Sequence, residues 1–90
     1  MASEGPVRVD PKRVAAREID GEIVIYDLRE RRYLGGNAAA TLLWPMLLAG
    51  TTVDEMSERM AGEFGIDAPR ARADAEAFAT ELRRFGLLEG

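Results

Sequence analysis

The side chains that could do chemistry in this sequence are carboxylates and guanidinium groups, because the chain contains no cysteine and no histidine. Disulfides, thiolate nucleophiles, imidazole bases and the usual zinc ligand sets are therefore ruled out. The adjacent carboxylates of Asp54 and Glu55 could in principle perform acid–base catalysis. However, Thr52 and Glu55 have the spacing of a capping box, which accounts for them as the start of a helix. We therefore predict that the protein is not an enzyme and needs no metal ion or cofactor.

Arginines form two groups that could attract a negatively charged partner. One group surrounds a predicted turn and the other lies in the last predicted helix, and they comprise Arg29, Arg31, Arg32, Arg70, Arg72, Arg83 and Arg84. Acidic residues interleave with the helical group, and the chain carries 12 basic and 16 acidic residues, a net charge of −4. This balance argues against nucleic acid as a partner. The arginines around the turn could steer an acidic peptide.

A chain of 90 residues with 47% hydrophobic content fits one small domain with a single core. We predict a flexible N-terminal tail over residues 1–12 and one domain over residues 13–90. Two β-prone runs flank Asp20-Gly21, a pair typical of a type I′ hairpin turn. Arg32–Leu34 predicts a short third antiparallel strand, ended by the two glycines that follow. The second strand is apolar on both sides, so we expect both faces of the sheet to be covered.

Three helices follow the strands. Asn37, Thr52 and Asp67 are placed to cap them, since each has a short side chain that can accept a bond from the first turn. The first helix is almost entirely apolar and should be surrounded, with Pro45 bending or shortening it. Apolar residues in the third helix recur at helical spacing and predict a core stripe of Ala71, Ala75, Phe78, Leu82 and Phe85, with Ala79 on the opposite flank.

The longest apolar run has about 12 residues, against the roughly 20 needed to span a bilayer. Nothing near Met1 has the pattern of a signal peptide, so we expect a cytoplasmic protein with no membrane partner. The order of three strands and then three helices predicts an α+β domain. Two architectures fit this order, a winged helix-turn-helix-like domain and a generic small α+β sandwich. We favour the first, with a three-stranded antiparallel sheet followed by three helices.

Several stretches of the sequence together resemble one known family. They are VIYDLRERRYL, LLW, FGID, RARADAEAF and LRRFGLL, and the match as a whole covers roughly residues 20–88. The pattern resembles the PqqD-like family, the recognition elements that bind leader peptides in pathways of ribosomally made, modified peptides. Within that family it is most similar to the stand-alone recognition proteins of lasso-peptide clusters.

The resemblance implies a non-catalytic binding module. Its partners would be the leader of a precursor peptide, a leader peptidase of the transglutaminase-like cysteine protease type, and an asparagine-synthetase-like cyclase. The leader would add a strand to the third strand of the sheet, in a groove closed by the third helix. An edge strand suits this role because its unpaired backbone groups can bond an incoming peptide. The candidate peptide-binding residues are Arg31, Arg32, Tyr33, Leu34, Asp74, Ala77, Phe78 and Glu81.

Two departures from the family pattern concern the docking strand. Arg31 stands where relatives commonly have glycine, so a left-handed backbone there would cost roughly 1 kcal/mol. Gly35 and Gly36 intervene before Asn37, which leaves the end of the strand open. Replacing Leu34 by proline should weaken peptide binding without unfolding the domain. A winged-helix transcription regulator and a subunit that merely stabilises an enzyme are the alternative functions.

Overall fold

The computed structural model describes residues 6–34 and 36–89. It contains three strands and then three helices, which confirms the predicted α+β architecture: β1 (Val14–Ile19), β2 (Glu22–Asp27), β3 (Arg32–Leu34), α1 (Ala38–Ala49), α2 (Val53–Phe64) and α3 (Ala68–Arg84). The strands form one antiparallel sheet in the order β1-β2-β3. β2 is therefore the central strand, and β1 and β3 are its two edges.

The β1–β2 hairpin forms at the predicted turn. Asp20 and Gly21 have φ values of 53° and 82°, so both lie in the left-handed region that a type I′ turn requires. The turn sets the register, in which Ile19 pairs with Glu22 and Val14 with Asp27.

All three predicted caps are present. Asn37 Oδ1 accepts a bond from Ala40 N, and the side chains of Thr52 and Asp67 cap α2 and α3 in the same way. The capping box is incomplete, because the Glu55 carboxylate accepts a bond from the Thr51 hydroxyl at 2.9 Å. Pro45 was expected to bend or shorten α1; it does not shorten the helix, which continues to Ala49.

The start of the described chain differs from the predicted tail. Val7 and Val9 are fully buried, and they form isolated bridges with Thr51 and Leu88. The expectation of a tail over residues 1–12 is therefore wrong for residues 7–9, while residues 1–5 lie outside the described residues. Two valines spaced by one residue can fill a gap between the α1–α2 connection and the C-terminal segment, an arrangement that depends on long-range packing.

The core lies between one face of the sheet and the helices. Ile23 and Ile25 point into it from β2, and Leu43 and Leu47 are fully buried in α1. The opposite face of the sheet is not covered by the described chain, so the expectation of two covered faces is wrong. α1 is also only partly surrounded, because Leu48 is exposed.

The buried stripe of α3 is rotated from the predicted one. Its buried residues are Ala71, Ala75, Ala79 and Leu82, while Phe78 and Phe85 are half-buried. Small alanines let α3 approach α2 closely, which places Ala79 in the core and turns Phe78 to the border of the helix. The prediction that Ala79 lies on the opposite flank is therefore wrong.

Candidate peptide-docking site

The outer edge of β3 is not covered by another strand of the described chain. The bridges of the N-terminal segment are made to Thr51 and Leu88, on other parts of the fold. The predicted docking edge is therefore open to an incoming peptide.

The backbone groups that face this edge belong to Tyr33. Neighbouring residues of an antiparallel strand point their N–H and C=O groups to opposite sides. Leu28 N donates to Arg13 O, on the β1 side, so Asp27 and Ile25 face β3. Their partners Arg32 and Leu34 face β2 in return, which leaves the N–H and C=O of Tyr33 directed outwards. Tyr33 is thus the residue of β3 whose main chain is available to a guest strand.

This geometry changes the role predicted for Leu34. Its N–H points inwards to the Ile25 partner, and its side chain packs against the core. Proline at this position would break the β2–β3 pair and destabilise the domain. The sequence-based expectation that Leu34→Pro weakens binding in a folded domain is therefore replaced by one about Tyr33, whose N–H faces outwards.

The turn that leads into β3 is organised by a fully buried carboxylate. Asp27 Oδ1 accepts bonds from Arg29 N at 3.0 Å and Glu30 N at 3.1 Å, and its backbone oxygen accepts one from Arg31 N at 2.8 Å. Burial opposes ionisation, but the bonds from Glu30 and Arg29 and the charge of Arg32 outweigh it and lower the pKa of Asp27. The carboxylate therefore stays ionised and fixes the turn.

Arg31 adopts the left-handed conformation in this turn, with φ of 57°. Arg31 therefore has the left-handed geometry considered for this position, although it is not a glycine. The backbone carries the expected strain of about 1 kcal/mol, and the bonds to Asp27 hold it in place.

Arg32 joins β3 to the end of α3. Its Nε lies 3.5 Å from Asp27 Oδ2, and its guanidinium carbon lies 4.4 Å from the centre of the Phe85 ring. Both interactions restrain the side chain, the second as a cation–π contact. Arg32 is therefore engaged in joining the sheet to the helix, although it is exposed like Arg29 and Arg31.

The other end of β3 is tightly packed. A Cβ atom on Gly36 would lie 1.8 Å from the backbone oxygen of Ile23, so only glycine fits there. Ile23 N donates to the Thr41 hydroxyl at 3.0 Å, and that hydroxyl donates to Asn37 O at 3.0 Å. Beyond the end of β3, a side chain of α1 thus supplies the hydrogen-bond acceptor for β2. Gly35 lies outside the described residues.

The four predicted residues of α3 line one cavity of about 460 Å³. Its lining comprises Asp74, Ala77, Phe78 and Glu81 of α3 with Asn37, Ala39 and Met60. Asn37 lies just beyond β3, and the Arg32–Phe85 contact joins β3 to the C-terminal end of α3. We call the predicted site made up of the β3 edge and this cavity the β3–α3 groove.

The charged residues of α3 are largely paired with each other. Arg70 lies 3.8 Å from Asp74 and Arg84 lies 3.4 Å from Glu81, while Arg72 contacts both Asp54 and Glu76. Exposed pairs of this kind add little stability, but they reduce the positive potential of the helix. This pairing argues against α3 as a DNA-recognition helix.

The residues that connect β3 to α3 were not among the predicted site residues. Asp27 and Phe85 hold Arg32, and Asn37 with Ala39 extends the cavity. The sequence offered one signal for the Asp27–Arg32 pair, namely an aspartate at the start of a polar turn, five residues before Arg32. The joint lining by α1 and α3 depends on tertiary packing and leaves no local pattern.

Among residues 6–34 and 36–89, no group of three or more His, Cys, Asp or Glu side chains is arranged to hold a metal ion. Within the same residues, no helix is both long and apolar enough to cross a membrane. Trp44 is buried, so it packs in the core.

An open sheet edge beside a helix-lined cavity defines this chain as a small α+β domain with a surface suited to an extended peptide. The family model described as Coenzyme PQQ synthesis protein D (PqqD) matches residues 22–88. The chain belongs to this family.

Two solved structures share the fold. "TbiB1 in Complex with the TbiA(beta) Leader Peptide" has 28% sequence identity and a TM-score of 0.80, with 92% of this chain and 95% of that chain covered. "Lasso peptide synthetase B1 complexed with the leader peptide" has 24% identity and a TM-score of 0.78, with coverage of 93% and 98%. Both of these structures are complexes with leader peptides. No match was found among curated proteins.

Proposed function

We propose that this protein is a non-catalytic recognition domain that captures the leader of a ribosomally made precursor peptide. The leader adds a strand to β3 and lies in the β3–α3 groove. The precursor belongs to a lasso-peptide pathway, by analogy with the relative titled as a lasso peptide synthetase B1. The protein acts in the cytoplasm, where the precursor is translated.

The observation that carries the proposal is the outward-facing main chain of Tyr33 on an uncovered edge. A guest strand can bond these groups without displacing any strand of the protein, because the described N-terminal segment packs elsewhere. The 28%-identical relative whose title names a leader-peptide complex supports a leader as the guest.

The cavity of α3 gives the guest a second contact. Ala77 is small and exposed, and Phe78 is half-buried beside it, so together they leave room for an apolar side chain. Asp74 and Glu81 lie at the same cavity and can accept a hydrogen bond from a tyrosine or lysine of the peptide. Arg31, exposed at the turn, attracts acidic residues of the leader. Leu34 supports the docking strand from the core side.

The bound leader is delivered to a leader peptidase of the transglutaminase-like cysteine protease type and to an asparagine-synthetase-like cyclase. A recognition domain without a catalytic group of its own needs such partners, and the exposed surface away from the groove is available to them. A pull-down with tagged protein, in the presence and absence of leader, tests each partner separately. A protein that binds the peptidase but not the peptide would instead be a stabilising subunit.

Fluorescence anisotropy with the labelled leader of the precursor encoded beside this protein tests the central claim. We expect saturable binding in the micromolar range or tighter, and competition by the same leader without label. A scrambled leader of identical composition is the control, because it keeps the charge and removes the order of side chains. Equal binding of the two peptides, or no binding of the leader, would refute the proposal.

A further inference from the structure

The face of the sheet that points away from the helices carries an uncovered row of side chains. Ala15 pairs with Tyr26, and Tyr26 pairs with Tyr33, so the three lie side by side across the sheet. The rings of Tyr26 and Tyr33 are 4.9 Å apart in an edge-to-face arrangement. Tyr33 nevertheless remains 74% exposed, so its own fold leaves most of the ring uncovered. We call this surface the outer row.

The outer row borders an open cavity of about 390 Å³. The cavity is lined mainly by apolar and aromatic residues, namely Ala15, Ala16, Ile19, Val24, Tyr26 and Tyr33, together with Arg17. It ends at β3, which is the edge where the guest strand is proposed to dock. The outer row and the docking edge therefore meet at Tyr33.

Strand geometry determines what a docked peptide places beside this row. The guest residue opposite Tyr33 projects its side chain to the same face as Tyr33, whichever direction the guest strand runs. The residues immediately before and after it project to the other face, towards the α3 cavity. A guest bonded to the main chain of Tyr33 thus places one side chain beside the Tyr33 ring.

We infer that the peptide is recognised on both faces of the sheet, and that the residue opposite Tyr33 is selected for an aromatic or β-branched side chain that extends the outer row. This inference rests on the proposed docking of a leader at β3. It assigns a specificity role to Tyr33 in addition to its backbone role. Cross-strand pairs of aromatic and β-branched side chains are the pairs that stabilise sheets, and the guest would supply the fourth member of the row.

The test is a set of leader peptides in which each residue is replaced in turn by alanine. Their affinities are measured by anisotropy against the unmodified protein, Tyr33→Ala and Ala77→Leu. Tyr33→Ala keeps the outward N–H and removes the ring, while Ala77→Leu changes the α3 cavity without touching the outer row. Both positions are exposed, so both variants should fold, and circular dichroism and thermal melting confirm it.

We expect one leader position to lose roughly three- to tenfold in affinity on alanine replacement with the unmodified protein, and to lose nothing further with Tyr33→Ala. Ala77→Leu should alter the effects of alanine replacement at leader positions an odd number of residues from that one, because those side chains project towards the α3 cavity. Tyr33→Phe, which keeps the ring, should retain the position-specific loss that Tyr33→Ala removes.

Two results would overturn the inference. If Tyr33→Ala leaves every leader substitution effect unchanged while Tyr33→Pro abolishes binding, the docking edge is correct and the outer row is not read. If Tyr33→Pro also binds normally, docking at β3 fails, and the inference fails with it.

Discussion

Replacing Tyr33 by proline tests the docking edge most directly. Proline has no N–H, so the variant cannot donate the bond that the guest strand would accept. The fold should tolerate the change, because Tyr33 N–H faces outwards from an edge strand, where proline is accepted. The residue before it, Arg32, is already extended within β3, as a residue preceding proline prefers.

The size of the effect follows from the lost hydrogen bond. A strand bond contributes about 0.5–1.5 kcal/mol net, and leaving the guest carbonyl unpaired in the groove costs about 1–3 kcal/mol. Tyr33→Pro should therefore bind the leader roughly 10- to 100-fold more weakly than Tyr33→Ala. Tyr33→Ala is the proper reference, because both variants lack the ring.

Two measurements separate binding from folding. Anisotropy with the labelled leader gives the affinities, and urea denaturation gives the free energy of unfolding of each variant. Leu34→Pro is the matched control: it removes a donor that faces β2 and disturbs a half-buried side chain, and should lower the free energy of unfolding by at least about 2 kcal/mol. Equal leader affinities of Tyr33→Pro and Tyr33→Ala would refute the assignment of the docking edge.

Three further substitutions test the structure around the site. Gly36→Ala should destabilise the domain by about 1–3 kcal/mol because its Cβ would overlap a backbone oxygen, whereas Gly62→Ala, in an open helical position, should stabilise it by about 0.5–1 kcal/mol, both in urea denaturation. Arg31→Gly should stabilise by up to about 1 kcal/mol and Arg29→Gly should not, since only Arg31 has positive φ. Because the pKa of Asp27 is lowered in the folded state, its stabilising contribution is present at neutral pH and is lost as the pH falls below about 4. The melting temperature of Asp27→Asn should therefore change less over that acid range than that of the unmodified protein. The same pH dependence in both proteins would contradict this.

Local chemistry explains why much of the fold could be predicted. The positive φ of Asp20 and Gly21 and the caps at Asn37 and Thr52 each depend on residues close in sequence. Such signals survive in almost any tertiary context. The pairing of β3 with β2 followed from one polar turn between two apolar runs.

The parts that could not be predicted depend on contacts between distant residues. Val7 and Val9 look like a tail, because their burial requires Thr51 and Leu88 to be already in place. Phe78 and Ala79 are adjacent on α3, and their assignment to groove and core depends on the angle at which α3 packs on α2. The four α3 candidates do line one cavity, while their contact with a peptide remains a prediction.

The shortness of β3 bears on how the protein avoids unwanted associations. Within this strand only one residue turns its main chain towards solvent, so an arbitrary extended polypeptide gains few backbone bonds by settling there. A long bare edge would capture nascent chains and copies of itself with little discrimination. Side-chain contacts must therefore supply most of the affinity, and a peptide without the matching side chains should dissociate quickly.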